Sequence, residues 1–298
     1  MAIASAANSG NDSLPGKKLI SQRQRAWNAF KRNKSALVGL VMIIALVLIA
    51  IFAPLISPHD PLAQFQSDSP LAPPSSEFLL GTDDKGRDVF SRIIYGTRVA
   101  LEVGVYSVLF GAVIGITLGV TAAYFGGIVD SLLMRLVDIM LSFPDLITGL
   151  LVMAVLGAGK GKLIIAIGLT IAPRFARIAY GPVLGLKEKE FVEAARAIGQ
   201  STPRIINRHI LPNIAGEMIV LGSLWMASAI RLEASLSFIG LGVPPPTPTW
   251  GQMIGEGIDY FRMIPLLSLA PGIALLIAVF AFNLVGDGLR DILDPRSN

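Results

Sequence analysis

Cysteine is absent from the 298-residue chain, which excludes disulfides, thiolate metal sites and thiol nucleophiles. Histidine occurs only twice, at His59 and His209. Charge is scarce too: 15% of residues are Asp, Glu, Lys or Arg against 53% hydrophobic, and mean hydropathy is +0.64. No Gly-rich stretch ends in Gly-Lys-Ser/Thr, so the chain has no phosphate loop of that type. It contains neither an internal sequence repeat nor a separate polar domain. The net charge of +4 is modest. The basic residues gather beside apolar blocks, where they act as topology signals and not as a nucleic-acid footprint.

What the chain does have is apolar blocks. Residues 36–56 form 21 positions without a charge, enough to cross a hydrocarbon core of about 30 Å at roughly 1.5 Å per residue. This block is too long for a signal peptide, and no small-x-small cleavage site follows it. Five further spans are expected at 98–124, 130–156, 162–184, 213–240 and 264–287. The predicted fold class is therefore an all-α membrane protein with six transmembrane helices. With the N-terminus in the cytoplasm, Lys31, Arg32, Lys34, Lys187, Lys189, Arg204, Arg208, Arg290 and Arg296 all fall inside, as the positive-inside rule requires.

The resulting organisation has five parts. Residues 1–35 form a cytoplasmic tail with a short amphipathic piece near Trp27 and Phe30. The first span covers 36–57, an extracytoplasmic segment covers 58–97, and a five-span core covers 98–288. A cytoplasmic tail, 289–298, closes the chain. Residues 57–80 and 242–250 are irregular. The second includes Pro244, Pro245 and Pro246, which fix an extended path, and it reads as a stiff loop or as a contact for an external protein.

One polar segment between two spans, at about 187–212, stands apart. Phe191, Ala194, Ala195 and Ile198 recur at helical spacing, while Glu190, Glu193, Arg196 and Gln200 are polar. The adjacent alanines leave room for another protein's backbone. Gly199 suits a left-handed helix stop, and Thr202-Pro203 suits the start of a second helix. A short helix, a glycine break, a second helix and then a span make a docking knob.

Glu193-Ala194-Ala195, Gly199 and Leu211-Pro212 resemble, in identity and spacing, the EAA loop of bacterial ABC importer permeases. His209 departs from that pattern, which usually has an apolar residue there. Further stretches are similar to the dipeptide/oligopeptide/nickel importers: Gly81-Thr-Asp-Asp-Lys-Gly-Arg-Asp-Val-Phe-Ser-Arg92, Glu233-Ala-Ser-Leu-Ser-Phe-Ile-Gly-Leu-Gly242, Pro245-Pro-Thr-Pro-Thr-Trp-Gly251, and residues 281–295. Their order resembles that of the C-type permease subunit.

The resemblance implies the type I importer permease fold in a bacterial inner membrane, with a cytoplasmic coupling helix fitting a groove on an ATPase. Phe191, Glu193, Ala194, Ala195, Arg196 and Gly199 would couple this chain to that ATPase; alternatively, Glu193 only caps its own helix. The implied partners are membrane lipid, a second permease subunit, two cytoplasmic ATPases and an extracytoplasmic solute-binding protein, with no nucleic acid. The chain itself would be non-catalytic and hold no cofactor, ATP and Mg being bound by the ATPases. The implied cargo is di- or oligopeptides, with nickel complexes, glutathione, opines or oligosaccharides as alternatives.

Charges at membrane depth are costly and face a cavity or a partner. Asp138, Arg174, Arg177 and Glu233 are therefore candidate path residues. For Arg174 and Arg177 a water-filled vestibule and snorkelling to the surface stand open; for Asp138, a substrate contact and an ion pair with a neighbouring span. Arg231 and Glu233 differ by two positions and point roughly 200° apart on a helix. The Gly111, Gly115 and Gly119 spacing reads as close helix packing. His59 and His209 fall on opposite sides of the membrane and cannot share a metal. Two other classes compete: an ion-gradient-driven transporter, which predicts inverted repeats, and an intramembrane enzyme, which needs a nucleophile beside a base.

Overall fold

A long uncharged run can leave water only if its backbone groups pair within the segment, which a helix achieves. The computed structural model describes residues 33–64 and 70–293. The tail segment near Trp27 and Phe30, and residues 294–298, lie outside the described residues. The helices are α1 (Lys34–Ile51), the short α2 (Ala53–Ile56), α3 (Val89–Phe125), α4 (Gly127–Leu141), α5 (Asp145–Leu156) and α6 (Lys160–Leu186). They continue with α7 (Glu190–Ala197), α8 (Thr202–Ile205), a π-helical turn over Ile206–Ile210, α9 (Leu211–Phe238), α10 (Trp250–Ile258) and α11 (Leu266–Leu293).

Five helical stretches are long and apolar enough to cross a membrane, and the bent pair α4–α5 makes six if its two halves count as one span. That pair corrects one expectation. Residues 130–156 are not a single helix: the chain bends by 99° between Leu141 and Asp145. Pro144 lacks an N–H and drives Phe143 out of the helical region, and Pro144 itself is extended, with ψ 140°. Ser142 then closes α4 by donating its hydroxyl to Ile139 O. The first span also breaks, at Phe52, two residues before Pro54. α3 begins at Val89, well before the apolar run at 98, because Asp88 caps it through the Ser91 N–H.

α3 and α6 form the most extensive helix pair. A Cβ at Gly111 would lie 2.7 Å from Gly168 O, at Gly115 2.2 Å from Ala172 O, and at Gly119 2.2 Å from Ala176 O. Only glycine permits backbones this close, as the spacing implied. The paired positions rise together, so α3 and α6 run parallel and α4–α5 must return the chain between them. α1 and α11 are antiparallel, with Gly39 against Ala281 and Leu284 and Gly288 against Ala36. Asn33 and Asp291 therefore meet at one end, where Nδ2 donates to Oδ2 at 3.3 Å.

Candidate functional site

α7 is short, so its stability must come from its ends and its contacts. Glu190 and Glu193 occupy its first turn and Arg196 its last, each sign matching the helix dipole. No side-chain hydrogen bond caps its N-terminus, and Glu193 is exposed. Gly199 has φ +77°, the left-handed stop expected, and Gln200 N–H returns to Ala195 O at 3.0 Å. Thr202 and Pro203 open α8.

The apolar face of α7 differs from the expected one. Val192 and Ala195 are buried against the rest of the chain, whereas Phe191, Ala194 and Ile198 are exposed, Ile198 by 75%. Ala195 thus supports the knob from beneath and does not sit on its outer surface. Periodicity marks apolar positions but not which of two adjacent faces the parent chain covers. His209, the departure from the loop pattern, lies in the π-helical turn with Nε2 3.3 Å from Gln200 Oε1 and its ring 6.2 Å from that of Phe191. Pro212, which cannot donate, follows that turn, and Asn213 Nδ2 supplies a bond to His209 O at 2.6 Å.

Two contacts of this segment were invisible to sequence reading. Lys187 Nζ donates to Ala123 O at 2.8 Å, and the Arg196 guanidinium stands 5.2 Å from the Tyr124 ring centroid. The first ties the end of α6, and the second ties α7, to the end of α3.

The bend between α4 and α5 faces α6 and brings the charged candidates together. Tyr180 OH donates to Asp130 at 2.7 Å, Arg177 pairs with Asp138, and Arg174 Nη2 donates to Asp145 at 2.5 Å. Arg174 also donates to Thr170 O and lies 4.8 Å from the Trp225 ring centroid. Arg174, Arg177 and Asp138 are thus ion-paired across spans, the neighbouring-span partner considered for Asp138 being Arg177. Glu233 is a correction: it is fully buried, with Ser237 Oγ donating to Oε1 at 2.7 Å, and lines no open surface of this chain. Arg231 points outward and bonds Ser228, opposite to Glu233 as helix geometry required.

At the other end of the bundle, residues 81–92 and 250–256 build one polar pad. Asp83 Oδ1 accepts from the N–H groups of Lys85 and Arg87 at 2.9 Å each, folding the turn. Arg87 Nε donates to Asp83 at 2.6 Å and its Nη2 to Glu256 at 3.1 Å. Buried Arg92 donates to Pro61 O at 3.2 Å and lies 3.5 Å from Asp83. Trp250 Nε1 donates to Ile93 O at 3.1 Å. Asp83, Asp84 and Glu256 converge, but Lys85, Arg87 and Arg92 stand among them, so the cluster is charge-compensated without a cation. Glu256 was missed in the sequence; its signal was being the lone acid of an apolar helix.

Residues 115–298 match the family described as binding-protein-dependent transport system inner membrane component. Residues 21–74 match the N-terminal TM domain of oligopeptide transport permease C. The chain is 41% identical over 277 residues to the dipeptide transport system permease protein DppC of Alkalihalophilus pseudofirmus, covering 93% of this chain and 91% of that one. It is 43% identical over 270 residues to the glutathione transport system permease protein GsiD of Shigella flexneri, covering 91% and 89%. An inward-facing structure of the MetNI methionine ABC transporter superposes with a TM-score of 0.52 at 21% identity. That match covers 67% of this chain and 96% of the other, a likeness of fold alone.

Proposed function

This chain belongs to the inner membrane components of binding-protein-dependent transport systems, and from that premise we propose that it forms half of the path of an ATP-driven importer of short peptides. Its relatives named for dipeptide and for glutathione stand at nearly equal identity, 41% and 43%. The cargo common to both is a short peptide bearing an ammonium and a carboxylate. The complex would comprise a second permease, two ATPase subunits that bind ATP and Mg, and an external binding protein. The α7 end lies in the cytoplasm in this proposal, as the distribution of basic residues favours.

The observation that carries the coupling role is the knob itself. An eight-residue helix, stopped by a left-handed glycine and held from beneath by Val192 and Ala195, presents Phe191, Glu193, Ala194 and Ile198 outward. Such a rigid element transmits displacement to α6 and α9, the spans it joins, as a two-state switch. The test is reconstitution of the whole complex in proteoliposomes, with labelled dipeptide and binding protein outside. Import requiring ATP on the α7 side supports the proposal. Import driven by an ion gradient without the ATPases overturns it.

A further inference from the structure

α4 has three faces. Met134 and Val137 are buried against Ala122 and Ala176. Ile128, Leu132 and Leu136 form an exposed apolar face suited to lipid. Ser131, Arg135, Asp138 and Ser142 form a third face, confined to about 60° of arc at 3.6 residues per turn. All four are exposed, and with Met134 and Ile139 they line a concavity of about 480 Å³.

Depth makes that face informative. Arg174, which pairs with Asp145 at the end of the bend, lies about 21 Å from Lys160 and about 18 Å from Leu186 along α6, at roughly 1.5 Å per residue. Arg177 is one turn nearer the α7 end, so the polar face of α4 occupies that half of the membrane. The Asp138–Arg177 pair is not sealed inside the protein, since the two side chains are 53% and 48% exposed. Arg135 has no carboxylate partner among the described residues. Half-exposed charges at this depth cannot face hydrocarbon cheaply.

We infer that the Ser131–Arg135–Asp138–Ser142 face of α4, with Arg177, lines the inner half of the peptide path and transiently receives the peptide carboxylate. Two guanidiniums stand there against one carboxylate, so a passing carboxylate finds a cationic partner without disrupting the Asp138 pair. The inference rests on the peptide-importer proposal.

The absence of cysteine makes the test direct, because every introduced thiol is unique within this chain, whose labelling is read after the subunits are separated. Single variants Ser131→Cys, Ser142→Cys, Leu132→Cys and Leu136→Cys are assembled in the whole complex, checked for ATP-driven dipeptide import, and exposed to a membrane-impermeant methanethiosulfonate from the α7 side. The serine positions are expected to label at least about tenfold faster than the leucine positions, because thiolate chemistry requires water. Trapping with dipeptide, ATP and vanadate should slow the serine positions. Arg135→Gln should reduce dipeptide import about fivefold or more, a loss of one charge-assisted contact, with Arg135→Lys restoring most of it.

If import proceeds but both faces label alike, or the serine positions stay unlabelled, the inference fails while the importer proposal stands. Labelling indifferent to trapping likewise overturns it, in favour of a face wetted at the lipid headgroups. Absence of ATP-driven import in the unmodified complex strikes the importer proposal instead.

Discussion

The guanidinium of Arg196 sits over the ring of Tyr124, 5.2 Å from its centroid, joining the last turn of α7 to the last turn of α3. α7 is thus fastened to a helix that is not its neighbour in sequence. α3 in turn packs along α6 through three glycines, and its far end is locked under Trp250. Under the proposed coupling role, displacement of the knob would load this 37-residue helix along its length.

Breaking that contact should uncouple without unfolding. A partly exposed cation–π contact is worth about 0.5–1 kcal/mol. Arg196→Ala and Tyr124→Ala are each expected to lower import per ATP hydrolysed, with the double variant no worse than the stronger single one and Tyr124→Phe near normal. Additive losses in that cycle would show the two residues act separately.

Gly199→Val places a β-branched residue at φ +77°, a conformation costing roughly 1–2 kcal/mol or more for such a side chain. No neighbouring atom crowds the position, so the penalty is confined to the local backbone. Import should fall sharply while membrane insertion and complex assembly, read by detergent extraction and gel filtration, remain intact.

Gly119→Leu is expected to fail in a different way. Even the first side-chain carbon would lie 2.2 Å from Ala176 O, so α3 and α6 must separate. Overpacking of this kind costs about 1–3 kcal/mol. The measurable outcome is lower thermal stability in detergent and poor recovery of the complex, not a selective transport defect.

Glu256→Ala removes a carboxylate shared by Arg87 and Arg92, whose side chains are almost wholly buried. Both arginines keep Asp83, so the loss is that of a charge-assisted hydrogen bond, about 1.5–3 kcal/mol. The pad formed by residues 81–92 should loosen, seen as faster proteolysis from the side opposite α7. Glu256→Gln, which keeps a hydrogen-bond acceptor, should lie between.

Much of this protein is local chemistry and was legible in the chain. Uninterrupted apolar length demands helices across a membrane, Gly199 demands a stop, and Gly111, Gly115 and Gly119 demand a close neighbour; each requirement is stated by a few adjacent residues. Hydropathy alone could not distinguish one straight span over 130–156 from two helices meeting at Pro144, nor see that α3 begins at Val89.

Pairing across the chain was decided only by the tertiary structure. Arg174 meets Asp145 across 29 residues and Arg87 meets Glu256 across 169. Whether Ala195 or Phe191 faces outward, and whether Glu233 is buried or open, depends on which helix arrives beside it. Side-chain type and spacing set what a residue requires, but the packing of distant helices sets which partner meets that requirement.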